Sequence, residues 1–195
     1  MLFRSPPWEG VVYWALDLET GGLDVKRNAI LAVGMVPIRE GVIRLGEGYH
    51  TLVRPEDGGR IDRGSVRAHQ LLWGEVQEGL PLAEVLAEID RRLREGVLLV
   101  HHRGIDEAFL KRAFRHKGLA WPGPKVVDTV DLLLKVARFT APDQPRTLNL
   151  SAARRRYGLP AYQAHDALTD AVATAELFLT LRHALGAQTL RSLRS

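Results

Sequence analysis

Apolar residues recur along this chain in two rhythms. Val11 to Leu18 is an apolar run rich in β-branched and aromatic side chains, interrupted only by Asp17 and closed by the turn signal Thr20-Gly21-Gly22, so it predicts a strand. Ala29 to Ile38 and Val42 to Val53 continue the strand pattern, with Arg39-Glu40-Gly41 as a tight connection between them. The period then lengthens. Leu82, Val85, Leu86, Ile89 and Leu93 form the stripe of an amphipathic helix that Gly96 ends. Val97 to His101 predicts a short buried strand, and Asp106 to Lys117 a helix with Ala108, Phe109, Ala113 and Phe114 on one side. Beyond the Trp121-Pro122-Gly123-Pro124 loop, Val126-Val127 predicts one more strand. Helical patterns follow at Thr129 to Phe139, Leu148 to Tyr157 and Ala167 to Leu185. The order βββαβαβα implies an α/β fold, with a mixed sheet and helices packed on its faces.

Length and composition narrow the function classes. A chain of 195 residues fits one domain, here residues 1–195, and 46% hydrophobic with 26% charged residues excludes global disorder. No apolar run approaches the ~20 residues that cross a bilayer, and the N-terminus has no apolar signal core, so a cytoplasmic protein with no membrane partner is expected. The absence of cysteine removes thiol nucleophiles and sulfur-ligated metals. A net charge of +4 suits a polyanionic partner.

The acids carry the chemistry. Strand alternation puts Asp17 and Glu19 on one face, where two carboxylates repel each other unless a cation joins them or they sit at the solvent end and cap the turn. Asp106 follows a buried strand, where it can cap a helix. The stretch His165-Asp166-Ala167-Leu168-Thr169-Asp170 places a histidine before the last long helix and Asp170 about one turn inside it, with Asp166 as a further cap. Jointly, four acids at strand and helix ends suit Mg²⁺ or Mn²⁺, two ions per site, which activate water in phosphodiester cleavage. A histidine with an ordinary pKa of ~6.5 is matched to taking the proton of that water. Lys111, Arg112 and the run Arg154-Arg155-Arg156 are either phosphate contacts or solvated helix faces.

The ordered set resembles a known family. Asp17-Leu18-Glu19-Thr20 with Gly22-Leu23, then Val100-His101 through Asp106 with Phe109-Leu110, then His165, Ala167-Leu168 and Asp170-Ala171, resemble the three motifs of the DEDDh 3′→5′ exonucleases. That group includes the epsilon proofreading subunit of bacterial DNA polymerase III. Asp128-Thr129 matches a recurrent feature between motifs, and the resemblance covers about residues 11 to 182. It implies an RNase H-like fold with a five-stranded mixed sheet. It also implies Asp17, Glu19, Asp106 and Asp170 as metal ligands, His165 as general base, and Thr20, Leu23 and His69 as substrate contacts. The expected activity is metal-dependent hydrolysis of terminal phosphodiesters from DNA 3′ ends, single-stranded or frayed, in proofreading or repair and with a DNA polymerase as an expected partner. An exoribonuclease of the same family and a non-catalytic nucleic-acid-binding module are the alternatives. The chain departs from the epsilon pattern at His102 and Ile105, where Asn and Phe are usual, and at Gly21, where a second threonine would stand.

Overall fold

The computed structural model describes residues 5–56, 59–62, 73–140, 148–162 and 166–194. Strands β1 (Tyr13–Thr20), β2 (Ile30–Arg39), β3 (Val42–Ile43), β4 (Tyr49–Leu52), β5 (Val97–Val100) and β6 (Val126–Asp128) form one sheet. Its main path runs β3-β2-β1-β5-β6, and β4 also pairs with β2. The β1–β2, β2–β3 and β2–β4 pairs are antiparallel, while β1–β5 and β5–β6 are parallel. The expected mixed sheet is therefore present. The stretch Val42 to Val53, predicted as one strand, is broken into β3 and β4 by a 3₁₀ turn at Leu45–Glu47.

Helices α1 (Trp73–Gln77), α2 (Leu82–Glu95), α3 (Arg103–His116), α4 (Thr129–Thr140), α5 (Leu150–Arg156), α6 (Ala167–Ala184) and α7 (Leu190–Leu193) complete the described elements. Among the described residues, no helix is long and apolar enough to cross a membrane.

The alternation of β1 splits the core into two layers. Tyr13 and Ala15 point into a cluster with Ala171, Ala175 and Phe178 of α6, whereas Trp14, Leu16 and Leu18 meet Leu86 and Ile89 of α2 and Phe109 and Ala113 of α3. Asp17 and Glu19 continue the face that looks toward α6. Strand β1 outruns its neighbour: its parallel pairing with β5 covers Tyr13 to Ala15 only. The carboxyl ends of these parallel strands thus open into a crevice, the usual place for a site in an α/β sheet.

Candidate active site

An open cleft of about 610 Å³ lies at that crevice, lined by Asp17, Glu19, Asp106 and Asp170 together with Thr20, Leu23, His101, His102 and Ile105. Carboxylate oxygens of Asp17, Glu19 and Asp170 all lie within 4.8 Å of one another. Asp106 reaches the same cleft from helix α3, and its charge is the strongest of those acting on Asp17. His165 and His69 lie outside the described residues.

Helix α6 brings Asp170 to the strand because small residues let it. Gly34 is directly opposite Asp17 in the β1–β2 register. A Cβ there would stand 2.1 Å from the carbonyl carbon of Ala167 and 2.3 Å from the nitrogen of Leu168. Only glycine admits the first turn of α6 against the sheet. Asp166 caps that turn as expected, accepting from the Thr169 N–H at 2.8 Å. Gly34→Ala should therefore push α6 outward, destabilising the fold by roughly 1–3 kcal/mol as overpacking does. It should also shrink the melting-temperature gain from Mn²⁺; a variant with the native gain would show that Asp170 does not depend on this contact.

Asp106 is not the helix cap considered from sequence. Helix α3 begins three residues earlier, and its N-cap is His102 in the left-handed region, φ 70° and ψ 61°. That conformation is disfavoured for a residue with a Cβ. Asp128 braces it: its carboxylate accepts from the backbone N–H groups of His102 (3.2 Å), Arg103 (2.8 Å) and Val130 (2.9 Å). The brace joins the starts of α3 and α4 and sets Asp106 within the first helical turn.

Burial and mutual repulsion shape the titration of the acids. Burial first, then the charges of Asp106, Glu19, Asp170 and Asp166, push the Asp17 carboxyl well above the usual carboxylate range. Asp106 is pushed up to about 8 by burial, then by Asp128 and Glu19, against the opposing backbone N–H groups of Asp106 and Leu18. Clustered oxygen donors whose charges oppose one another fit a hard divalent cation.

The remaining cleft residues divide by role. The Thr20 hydroxyl donates to the Gly22 carbonyl at 2.8 Å and so shapes the turn that presents Leu23, which is 80% exposed on the rim. Ile105 is the other exposed apolar side chain there. Asn28, fully buried, holds the same loop: its amide donates to the Gly21 and Arg60 carbonyls, and its Oδ1 accepts from the Asp24 N–H. His101 is held between Thr129 Oγ1 and the Leu148 carbonyl, each at 2.7 Å. Burial lowers its pKa to about 4, so it is neutral at pH 7 and serves as a structural tie.

Arg154 does not belong to a solvated or phosphate-binding face. It is 3% exposed, pairs with Glu176 at 2.7 Å, and donates to the carbonyls of Ala173 and Pro160. Arg155 and Arg156 are exposed, and Lys111 pairs with Glu107 at 2.8 Å. Sequence reasoning missed Asp62 of the cleft lining and the two supporting residues Gly34 and Asn28. Gly34 had a signal, since a lone glycine inside a strand pattern marks close backbone approach.

The RNase T family model, described as Exonuclease, matches residues 14–178. The DNA polymerase III subunit epsilon-like protein of Rhodobacter capsulatus is 34% identical over 187 residues, covering 94% of this chain and 25% of that protein. The 3′-5′ exonuclease DinG of Staphylococcus haemolyticus is 27% identical over 169 residues, covering 86% of this chain and 18% of that protein. Among solved structures, E. coli exonuclease I in complex with a dA16 oligonucleotide superposes with a TM-score of 0.79 at 16% identity, over 90% of this chain and 42% of that one. This chain spans about a quarter or less of the length of these two sequence relatives.

Proposed function

The chain belongs to the exonuclease family whose model spans residues 14–178, and from that premise we propose that it is a metal-dependent 3′→5′ exonuclease of DNA, its residues 1–195 acting as one catalytic domain. The observation that carries this reading is the convergence of Asp17, Glu19 and Asp170 within 4.8 Å, with Asp106 in the same open cleft. These four acids would hold two Mg²⁺ or Mn²⁺ ions. Such ions, when bound, supply charge neutralisation and lower the pKa of a water molecule.

The chain's own residues do the rest. His165 accepts a proton from the water whose oxygen bonds to phosphorus; the bond from phosphorus to the 3′ oxygen breaks, and that oxygen takes a proton from solvent, leaving a strand with a free 3′ hydroxyl and a nucleoside 5′-monophosphate. Leu23 and Ile105, exposed on the cleft rim, offer apolar surface to the terminal nucleotide. Thr20 holds the turn beneath Leu23, and His69 is assigned to the substrate by the motif resemblance alone. The expected substrates are single-stranded or frayed 3′ ends, because a paired end must first lose pairing and stacking. Proofreading or repair beside a DNA polymerase is the role in keeping with the epsilon-like relative.

The test is topological. Linear single strands should be shortened stepwise with Mn²⁺, mismatched duplex ends faster than paired ones, and circular single strands should stay intact. Cutting of circles at the linear rate would make the protein an endonuclease.

A further inference from the structure

The loop between β1 and β2 has two sides. It gives Gly22 and Leu23 to the catalytic cleft, and Lys26 and Arg27 to a second cavity of about 200 Å³. Ile30, Val53 and Leu82 contribute apolar lining to that cavity, while Lys26, Arg27, Arg54 and Arg112 bring four cations to it from three separate segments. The carboxylate that lines it, Glu56, is already engaged by Lys117 and by His116. Arg27 pairs with Asp24 at 3.8 Å, whereas among the described residues no carboxylate forms an ion pair with Lys26, Arg54 or Arg112.

Arg112 is the fixed member of the set. Its side chain is partly buried, lies 5.4 Å from the Phe109 ring centre, and donates from Nη2 at 2.5 Å to the carbonyl of Asn28. A partly desolvated guanidinium that forms no ion pair with a carboxylate among the described residues, with only the charge of Asp24 acting on it and three more cations in the same concavity, is suited to take an anion. We propose that this cavity seats a phosphate group of a nucleotide, in a strand whose end lies in the catalytic cleft or as a free nucleoside monophosphate.

Helix geometry fits the strand. Asp106 and Arg112 share α3, and six residues at ~1.5 Å each put them about 9 Å apart along its axis. The cleft and the cavity thus border the same helix and the same loop between β1 and β2, so a strand whose end lies at the acids has both within one continuous stretch of surface. The anion chemistry follows from the cavity itself, whereas the strand as its source rests on the exonuclease reading.

The test compares two double charge reversals with equal change in net charge. One is Lys26→Glu with Arg54→Glu, both exposed at the cavity; the other is Arg138→Glu with Arg191→Glu, exposed on α4 and α7 and lining neither cavity. Anisotropy of a labelled twelve-nucleotide single strand is followed across a salt series in EDTA, so that the readout does not need catalysis. Calorimetry with 5′-dAMP forms the second arm. For a strand ligand, the cavity pair should bind the strand at least tenfold more weakly, with a salt slope flatter by about 1.4, as for two lost single-strand contacts of ~0.7 each. The control pair should change less than threefold. Loss of 5′-dAMP binding alone, confined to the cavity pair, would identify a free nucleotide as the phosphate source. Equal losses in both pairs, or no loss of either ligand in the cavity pair, would overturn the proposal. A protein that binds through the cavity but leaves strands uncut would keep this site and refute the exonuclease reading instead.

Discussion

Asp17→Asn is expected to make the metal-free protein more stable at pH 8.5 while removing most of its metal-dependent stabilisation and at least a hundredfold of its activity. Folding without metal gathers Asp17, Glu19, Asp106 and Asp170 into one cleft, and burial with mutual repulsion raises the carboxyls of Asp17 and Asp106. Between an ordinary value of 3.8 and about 8, the folded chain holds a proton on Asp106 that the unfolded chain has released. The native state therefore binds more protons across this window, and its stability falls as pH rises through it. For Asp106 the penalty is absent below about pH 4 and complete above about pH 8. Neutralising Asp17 relieves part of it. A divalent ion that binds only the folded chain stabilises it by about 2.7 kcal/mol at a hundredfold excess over Kd, and loss of one carboxylate weakens that term. Loss of several kcal/mol of charge stabilisation in the transition state corresponds to at least two factors of ten in rate. Thermal melts at pH 5 and pH 8.5, in EDTA and in Mn²⁺, check the sign. Equal Mn²⁺ shifts in both proteins would show that Asp17 is not a ligand.

His165→Ala is expected to lower the chemical rate by roughly 10²- to 10⁴-fold, the range typical of a general base, with substrate and metal binding retained. The native rate should climb with pH through the pKa of that histidine, since only the neutral imidazole accepts a proton. Single-turnover rates across pH 5 to 9 separate this step from product release. His102 is the control, being exposed at the cleft with its Nε2 donating to the Leu148 carbonyl. His101 is a poorer one, because its replacement would break the tie between Thr129 and Leu148. Near-native activity of the His165 variant at neutral pH would remove this residue from the mechanism.

Local periodicity made much of the fold legible. The strand and helix patterns lie within a few residues of the elements because each buries a continuous face, as Val85, Leu86, Ile89 and Leu93 do on α2. The acids were legible for another reason: a carboxylate at the end of an apolar strand needs a partner, and Asp17, Glu19, Asp106 and Asp170 share that condition. What stayed hidden depends on distant pairs. The start of α3 is set by Asp128, twenty-six residues after His102, so a local search for a capping side chain misplaces it. Arg154 reads as part of a solvated charge run until Glu176 is brought beside it by the packing of α5 on α6. The interruption of the third predicted strand was signalled by Gly46 and Gly48, but the apolar residues on either side outweighed them in the pattern. The basic cavity has no local signature, since its cations come from the β1–β2 loop, the segment after β4 and helix α3.

The most direct test of a metal-dependent 3′→5′ exonuclease is to give the purified chain single-stranded DNA labelled at either end, with Mg²⁺, Mn²⁺ or EDTA, and to identify the products over time. A 3′ label should appear at once as nucleoside 5′-monophosphate, and a 5′ label should pass down a ladder of shortening strands, in either metal and not in EDTA. Immediate release of the 5′ label, internal cuts, or equal cleavage in EDTA would contradict the assignment of Asp17, Glu19, Asp106 and Asp170 to 3′-end hydrolysis.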